Sequence, residues 1–419
     1  MTDQFCWFNA ISTRPSLEGA VREVAEIVRR QLAHPPDVGL FFIASSYASE
    51  YPRLLPLLTE AFPETVLMGC GGGGVIGVDA QLNALELEDQ PALSLSVGCL
   101  PGVAIAPFHL NADKLPDLDA SPQRWVEQVG VDPAIDPQFV LLADPFSARM
   151  NDLLAGLDYA YPNAPKVGGL ASSGVVGVPS GLFLSDPGQG TQQLYRDGSV
   201  GLALSGNLTI ETIVAQGCRP IGQPFRVERA ERNIILELVG ESDDSQKGRP
   251  LEVLREIIRG LDGHDRELAQ TSLFVGVVRD VFKVNLKRGD FLIRNLLGVD
   301  PKEGAVAVGD RIRSGQRVQF HLRDAQTSAD DLAFHLQEYR QRWGQKSLGA
   351  LMFACLGRGE GLYGEAHFDS RLFQEHLGTI PVGGFFCNGE IGPVGGNTFL
   401  HGYTSVFGLL RPSENGEKP

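Results

Sequence analysis

A short glycine-rich pattern occurs three times along this chain of 419 residues. The pattern G-x-x-x-x-G-x-[VI]-G matches residues 69–77, 169–177 and 384–392. Each copy is preceded by an apolar strand, a polar turn, a helical segment and a proline. Because such a shared neighbourhood rarely arises three times by chance, we interpret the copies as strand–loop–helix–strand–glycine-turn modules. They are too few and too widely spaced for a solenoid.

The segments around the modules predict an α/β protein of two domains with mixed, partly parallel sheets. "FCWFNAIST" is typical of a strand, and the apolar run "DVGLFFIASSYA" indicates a strand that is covered on both faces. A strand–helix–strand order implies a parallel pair. The intervening helix is amphipathic, and its predicted apolar stripe consists of Leu17, Val21, Val24, Val28 and Leu32.

A change of composition near residue 225 predicts the domain boundary. "GESDDSQKGRP", a little further on, is polar and glycine-containing, as expected of a surface loop. We therefore expect a first domain over residues 1–225 with two glycine-turn modules, a second over 226–410 with the third module, and a disordered tail over 411–419. In the second domain, "SADDLAFHLQEYRQRW" predicts a helix capped by Ser328.

The charge balance narrows the possible partners. A net charge of −15 disfavours nucleic acid and anionic membranes, which attract basic surfaces. No apolar run has the length of a membrane span, and the start of the chain does not resemble a signal peptide. The cysteines form no C-x-x-C pair, which predicts free thiols in a reducing cytoplasm. They are Cys6, Cys70, Cys99, Cys218, Cys355 and Cys387.

The glycine turns do not predict a nucleotide cofactor. "GCGGGG" in the first copy fits G-x-G-x-x-G, but a β-branched segment follows it where a dinucleotide site needs a helix. The other two copies replace the middle glycine with Ala171 and Phe386. Close backbone packing or positive φ angles explain most of these glycines. Exposed N–H groups at such turns can also bind a carboxylate.

The positions inside the turns differ between the copies. The first copy has Gly72 and Gly73, the second has Ser172 and Ser173, and the third is more polar. In the third copy Glu390 stands where the other two copies have valine, and a carboxyl group in an apolar position must find a partner. The polar candidates that we take from the turns are Ser172, Ser173, Cys387, Asn388 and Glu390.

"GRGEGLY" follows the first strand of the third module and supplies Arg358, Glu360 and Tyr363. Because parallel strands end at the same sheet edge, Arg358 and Glu390 should emerge together, where open α/β sheets bind ligands. The fork of an arginine suits a carboxylate, and an acid suits an ammonium group. We therefore predict a pocket for a zwitterion or a carboxylate. The alternative is that Arg358 and Glu390 only neutralise each other.

A catalytic alternative uses Cys387 as nucleophile and His401 as base, with Glu390 beside them. A single cysteine in an apolar strand is more often a small buried hydrophobe. The histidines lack ligand spacing together with a carboxylate, so we predict no metal site. A third alternative is a structural or interaction protein whose turns only pack.

"FACLGRGEGLY" followed by "PVGGFFCNGEIGPVGGNTFLHGYT" resembles the C-terminal domain of FIST proteins. "QGCRPIGQPFRVERA" lies where the two domains of that family meet, and the glycine turns of the first half resemble the FIST N-terminal domain. The resemblance covers about residues 37–410. It implies an intracellular sensory module that binds small ligands, with amino acids the favoured class. It supplies no catalytic residues.

Many family members carry a fused output domain, whereas this chain leaves room for none beyond the resemblance. We therefore expect a cytoplasmic sensory protein that binds a small metabolite and signals through a separate output protein, with homo-oligomerisation left open. The alternative is a small-molecule enzyme. The ligand-site candidates are Arg358, Glu360, Tyr363, Cys387, Asn388, Glu390, His401, Ser172 and Ser173.

Overall fold

A computed structural model describes residues 4–147, 149–174, 177, 180–241, 247–280, 282–286 and 289–413. Its strands, in chain order, are β1 (Cys6–Ser12), β2 (Val38–Ala44), β3 (Val66–Gly72), β4 (Gly74–Val78), β5 (Ala84–Glu88), β6 (Leu93–Cys99), β7 (Val103–Leu110), β8 (Gln138–Ala143), β9 (Lys166–Leu170), β10 (Leu182–Asp186), β11 (Thr191–Tyr195), β12 (Ser199–Gly206), β13 (Leu208–Ala215), β14 (Cys218–Glu231), β15 (Ile234–Gly240), β16 (Lys247–Gly248), β17 (Leu273–Val278), β18 (Phe291–Asp300), β19 (Ala305–Val308), β20 (Arg317–Arg323), β21 (Gly349–Cys355), β22 (Val382–Cys387), β23 (Glu390–Val394), β24 (Asn397–His401) and β25 (Ser405–Pro412).

The α-helices are α1 (Leu17–Arg29), α2 (Tyr51–Ala61), α3 (Pro122–Val129), α4 (Met150–Ala160), α5 (Pro250–Gly260), α6 (Gly263–Thr271), α7 (Ala325–Trp343), α8 (Glu360–Tyr363) and α9 (Phe368–Leu377). Each glycine-turn module has the strand–helix–strand order that the sequence predicts, with α2, α4 and α9 before β3, β9 and β22. Short 3₁₀ helices cover Ser45–Glu50, Ala112–Lys114 and Pro133–Ile135. Parallel and antiparallel pairs occur in the same sheets, which confirms the predicted mixed α/β class.

The chain divides into two compact units. Unit 1 consists of Met1–Ala215 and Ala333–Pro419, and unit 2 consists of Gln216–Leu332. The third glycine-turn module therefore belongs to the same unit as the first two, and residue 225 lies inside unit 2. Residues 411 and 412 of the expected tail belong to β25, and residues 414–419 lie outside the described residues.

Unit 1 contains three six-stranded sheets of the same design. Their strand orders are β1-β6-β2-β3-β10-β11, β7-β12-β8-β9-β23-β24 and β13-β25-β21-β22-β4-β5. In each sheet the two central strands of one module are parallel, namely β2 with β3, β8 with β9 and β21 with β22. The predicted module is therefore a true structural repeat, and the three copies have pseudo-threefold topology.

In each module, a hairpin follows the glycine turn. This hairpin pairs with a strand of another module and so belongs to that module's sheet. Strands β4 and β5 join β22, β23 and β24 join β9, and β10 and β11 join β3. The turns themselves must therefore lie together, because each one connects two neighbouring sheets. One core cluster draws on all three sheets and includes Phe42, Leu142 and Phe353.

A glycine in each module allows two parallel strands to approach closely. A Cβ atom at Gly69 would overlap the carbonyl oxygen of Phe41, and one at Gly384 would overlap that of Met352. In the second module the corresponding contact with Leu141 is made by Gly168, one residue before the glycine of the sequence pattern. Close backbone approach, as predicted, explains these glycines.

Helices cover the outer faces of the first two sheets. Helices α1 and α2 pack on the first sheet, where Leu17, Val21, Val24 and Val28 are buried as the apolar stripe predicts. Helices α3 and α4 contribute Trp125 and other apolar side chains to the core of the second sheet. The covered sheets explain why their central strands are apolar on both faces.

Unit 2 has one antiparallel sheet of the order β14-β20-β17-β18-β19-β15-β16. Its core includes Leu254 of α5 together with Phe225, Val275 and Phe320 of the sheet. The predicted cap of α7 is wrong. The helix begins at Ala325, before Ser328, and the Asp324 side chain accepts a hydrogen bond from Thr327 N at 2.6 Å.

Candidate functional site

The three glycine turns meet at the carboxyl ends of β3, β9 and β22. Ser172 N donates to the Gly71 carbonyl at 3.1 Å, and Gly73 N donates to Ser172 Oγ at 2.8 Å. Asn388 N donates to the Leu170 carbonyl at 3.1 Å. We call this region, residues 71–74, 170–174 and 387–390, the turn junction.

Arg358 lies beside the turn junction, three residues after the end of β21. It is fully buried and makes a two-pronged ion pair with Asp369, with Nε–Oδ2 and Nη2–Oδ1 distances of 2.6 and 3.0 Å. The Tyr363 hydroxyl accepts from Arg358 Nη2 at 2.6 Å and donates to Asp369 Oδ1 at 2.7 Å. Although burial opposes it, the negative charge of Asp369 raises the pKa of Arg358. Asp369, not Glu390, is therefore the main counter-ion of Arg358.

Glu390 begins β23 and is completely buried. Its Oε2 atom accepts a hydrogen bond from Thr404 N at 3.1 Å. Burial raises the pKa of Glu390 well above its usual range, against the opposing effects of the Thr404 bond, the Arg358 charge and the Cys355 thiol. Burial therefore favours the neutral form of the Glu390 carboxyl group, and Arg358 lies close enough to act on its charge.

Glu86 reaches the same region from β5, which the first module contributes to the third sheet. Its Oε1 atom accepts from Ser370 N, in the first turn of α9, at 2.5 Å. Burial and the negative charge of Asp369 raise the pKa of Glu86 to about 8. We refer to Arg358, Tyr363, Asp369, Glu86 and Glu390 as the acid–arginine cluster.

The acid–arginine cluster contains three buried polar atoms that lack a hydrogen-bond partner among the described residues. They are Arg358 Nη1, Glu390 Oε1 and Glu86 Oε2. Buried polar groups are nearly always paired, so three in one cluster require an explanation. The cluster also holds three carboxyl groups and a single cation. Asp369 balances Arg358, so a negative charge on Glu86 or Glu390 would have no cation of its own among the described residues of the cluster.

The structure places the remaining candidates at different depths. Asn388 and Glu360 are exposed, and Ser173 is half-buried, so these three lie at the surface near the cluster. Glu360 contributes its backbone N–H, which donates to Glu88 Oε1 at 2.9 Å. Ser172 is buried and its hydroxyl donates to the Phe386 carbonyl, so it joins two turns of the junction.

Cys387 and His401 do not form a nucleophile–base pair. Burial raises the pKa of the Cys387 thiol well above its usual range, and the thiol donates to the Phe385 carbonyl at 3.6 Å. His401 lies opposite Glu390 in the β23–β24 pair, and its Nε2 atom donates to the Gly392 carbonyl at 3.0 Å. A protonated thiol and a histidine that donates to a backbone carbonyl do not supply an activated nucleophile.

Sequence analysis did not find four groups of this region: Glu86, Asp369, Cys355 and Thr404. Glu86 belongs to the alternating segment "ALELE", which looks like an ordinary half-exposed strand. Asp369 begins a helix, where an acid is commonplace. Arg358 and Glu390 could be predicted because each follows a strand or glycine turn that the sequence shows. The other groups lie on different segments of the chain, and no local pattern connects them with these two residues.

A surface groove of 380 Å³ lies elsewhere, at the opposite edge of the first sheet. It adjoins the starts of β2 and β3, and the Arg29 guanidinium in it donates to the Ala61 carbonyl. We place the candidate site at the acid–arginine cluster because three of its buried polar atoms lack a hydrogen-bond partner among the described residues and are suited to a polar ligand.

Among the residues that the structure describes, no group of three or more His, Cys, Asp or Glu side chains is arranged to hold a metal ion. No helix in the same part of the chain is both long and apolar enough to cross a membrane.

The repeated parallel strands and the charged cluster at their carboxyl ends define an α/β protein of the type that binds ligands at a sheet edge. The chain belongs to the FIST family. The FIST N domain matches residues 37–241, and the FIST C domain matches residues 250–393. FIST domains are associated with small-ligand binding in sensory and signal-transduction proteins.

Relatives of known sequence match nearly the whole chain. The uncharacterized protein Rv0628c of Mycobacterium tuberculosis is 32% identical over 401 residues, which cover 96% of this chain and 98% of the relative. The uncharacterized protein Mb0898c of Mycobacterium bovis is 30% identical over 407 residues, with 96% and 97% covered. The F-box/LRR-repeat protein At5g63520 of Arabidopsis thaliana is 23% identical over 459 residues, with 95% and 84% covered.

Proposed function

We propose that this protein is a cytoplasmic sensory protein that binds an amino acid, or another small carboxylate, at the acid–arginine cluster without turning it over. A separate output protein would receive the signal. The observation that supports this proposal most strongly is the set of three unpaired buried polar atoms in one cluster, on Arg358, Glu390 and Glu86.

Arg358 is suited to bind the carboxylate of the ligand. Asp369 and Tyr363 occupy its Nε and Nη2 atoms, which fixes the plane of the guanidinium. The two hydrogens of Nη1 remain for an acceptor, and a charge-assisted hydrogen bond of this kind contributes about 1.5–3 kcal/mol. The ion pair with Asp369 thus orients Arg358 and leaves one edge of its guanidinium for a ligand.

Glu390 is suited to bind an ammonium group. Its Oε2 atom is held by Thr404 N, whereas Oε1 has no partner in the described part of the chain. A ligand cation next to Glu390 would replace the missing positive charge and favour the ionised carboxylate. An α-amino acid carries both required groups, so it fits the cluster better than a simple carboxylate does.

The chemistry of the site favours binding over turnover. The Cys387 thiol is protonated and lies within the core cluster that the three sheets share. The cluster offers fixed hydrogen-bonding groups but no activated nucleophile. A ligand that meets only these groups leaves the protein unchanged.

Calorimetric titration with a panel of the common amino acids tests the proposal. The test variant is Glu390→Gln, which preserves the shape of the side chain and an acceptor for Thr404 N. We expect wild type to bind at least one amino acid, and Glu390→Gln to bind it roughly tenfold to a hundredfold more weakly. The matched control is Glu375→Gln, an exposed position on α9 that should bind like wild type.

The amino acid that binds most tightly should then be compared with its decarboxylated amine and its deaminated carboxylate. Weaker binding of both analogues supports the two-ended site. Equal binding by wild type and Glu390→Gln, or recovery of a chemically altered ligand, would contradict the proposal. Arg358→Ala is a poor test because it leaves Asp369 buried without a counter-ion, which destabilises the fold whether or not a ligand binds.

A further inference from the structure

Two cysteines far from the acid–arginine cluster lie directly opposite each other. Strand β1 pairs with β6 in antiparallel fashion, and the register places Cys6 against Cys99 at one end of the pair. Opposite residues in such a pair have Cα atoms about 4.5–5.5 Å apart, within the range of about 4.4–6.8 Å that a disulfide spans. Their side chains project from the same face of the sheet.

The two thiols are already in contact. Burial, and next the hydrogen bond with the Cys6 thiol, raise the pKa of Cys99 to about 12. Both cysteines are free, and Cys99 is buried whereas Cys6 is half-exposed. An oxidant can therefore reach Cys6 before Cys99. The Cys99 thiol lies next to Cys6 and is protonated.

A second cysteine pair provides an internal comparison. Cys355 and Cys387 are also in register, on the parallel strands β21 and β22. Cys387 is fully buried and donates to the Phe385 carbonyl, while the thiol of Cys355 interacts with Glu390. Cys355 is half-exposed like Cys6, but the two thiols of this pair are engaged by Glu390 and by the Phe385 carbonyl, whereas those of Cys6 and Cys99 contact each other. An oxidant should therefore discriminate between the two pairs.

We propose that Cys6 and Cys99 form an oxidative modification site at which a hydroperoxide produces a disulfide. The Cys6 sulfur attacks one peroxide oxygen and the O–O bond breaks, so that this oxygen becomes the hydroxyl of a sulfenic acid. The other oxygen leaves with the thiol proton as an alcohol or, from hydrogen peroxide, as water. The Cys99 sulfur then attacks the Cys6 sulfur, the S–S bond forms, and the hydroxyl group leaves with the Cys99 proton as water. Two thiols are oxidised and one peroxide is reduced.

The cross-link would tie the first strand of unit 1 to the sixth. Strand β1 lies at the edge of its sheet and is paired only with β6 in the sheet order. A disulfide between residues 6 and 99 closes a long loop and restricts the unfolded chain, which stabilises the folded state. Oxidation should therefore raise the melting temperature of unit 1 in the full-length protein.

Peptide mapping after oxidation tests this proposal. The full chain is treated with hydrogen peroxide, the remaining thiols are alkylated, and the protein is digested without reductant. We expect a cross-linked peptide containing Cys6 and Cys99, which a thiol reductant separates. Cys6→Ser and Cys99→Ala should each abolish it, and Cys218→Ser, a buried cysteine of unit 2, should leave it unchanged.

Thermal unfolding completes the test. The oxidised wild type should melt at a higher temperature than the reduced protein, and the two should melt together in Cys6→Ser. Three results would overturn the proposal: a disulfide between Cys355 and Cys387 instead, sulfinic acid at Cys6 without a cross-link, or no change in the mass of either cysteine. Cys6 is half-exposed on an edge strand, so Cys6→Ser should fold. This variant tests the proposal even if Cys99→Ala does not fold.

Discussion

Glu390 is the central residue of the proposed function. Burying a carboxyl group without all of its hydrogen bonds costs free energy of folding, and strongly perturbed acids are candidates for functional sites. Its neighbours are polar but supply no hydrogen bond to Oε1 within the described chain. Under the proposal, this oxygen binds the ammonium group of the ligand.

Ligand binding should release a proton at Glu390. Burial holds the pKa of Glu390 well above its usual range in the free protein. An ammonium group beside it lowers that pKa, so binding should expel protons and become tighter as the pH rises toward the pKa of the free protein. Titrations in two buffers with different ionisation enthalpies measure this proton. Buffer-independent heats for wild type, or the same proton release by Glu390→Gln, would contradict the prediction.

Glu86 should make stability depend on pH in a defined direction. Its pKa is about 8 in the folded protein, against 4.5 for an ordinary glutamate, because of burial and the charge of Asp369. The folded state therefore holds this proton where the unfolded state has lost it. Its contribution to stability is present below about pH 4.5 and is lost as the pH rises through about 8.

Glu86→Gln should remove that loss. Glutamine stays neutral and keeps an acceptor for Ser370 N, so the free energy of unfolding should fall less steeply between about pH 5 and about pH 8 than in wild type. Urea unfolding of both proteins across this range measures the two slopes. Parallel slopes would contradict the prediction, because they would show that folding does not raise the pKa of Glu86.

At the scale of elements, the glycines in β3, β9 and β22 set how closely parallel strands can pack. Gly384 faces the carbonyl group of Met352 across the β21–β22 pair. This pair positions both Arg358, which follows β21, and Glu390, which follows β22 and its turn. The separation of the two functional groups therefore depends on the closeness of the two backbones.

Gly384→Ala should destabilise the protein strongly. The added methyl group would overlap a backbone carbonyl, which cannot move without breaking the strand pair, so the free energy of unfolding should fall by about 2–4 kcal/mol. Gly361→Ala is the control, because a Cβ atom there meets open space, and its effect should stay within about 0.5 kcal/mol. Denaturant unfolding compares the two, and equal stabilities would contradict the packing argument.

Local patterns were sufficient to predict several elements of this site. Helix α1, the parallel β21–β22 pair and the emergence of Arg358 and Glu390 at one edge all follow from periodicity and from the rule for parallel strands. The cap of α7 was predicted wrongly because a serine and an acid three residues apart imitate a capping box, whereas Asp324 makes the actual cap. The pairing of Arg358 with Asp369 depends on how α9 packs, which no local pattern contains.

For the molecule as a whole, the exchange of hairpins between modules explains why the site could be predicted only in part. Glu86 belongs to the first module and Arg358 to the third. Both belong to one cluster because β4 and β5 join the sheet of β22. A repeat in the sequence indicates that modules exist but not which sheet each hairpin enters. The pseudo-threefold topology and the composition of the acid–arginine cluster therefore required the structure.

Only the third module carries charged groups at its glycine turn, although the three turns are equivalent in topology. Glu390 matches Val75 in the first module and Val175 in the second. The turns of those modules carry Gly72 and Gly73, and Ser172 and Ser173, at the positions of Cys387 and Asn388. The first two modules thus supply backbone and hydroxyl groups to the turn junction, and the third supplies most of the charge. This division of roles is consistent with one ligand site in unit 1 rather than three.

A crystal structure of the protein with the amino acid that binds most tightly tests the central claim most directly. The account predicts that the ligand lies at the acid–arginine cluster, with its carboxylate within hydrogen-bonding distance of Arg358 Nη1 and its ammonium group within hydrogen-bonding distance of Glu390 Oε1. A ligand in the groove beside Arg29 and Phe62, or a ligand covalently attached to Cys387, would contradict it.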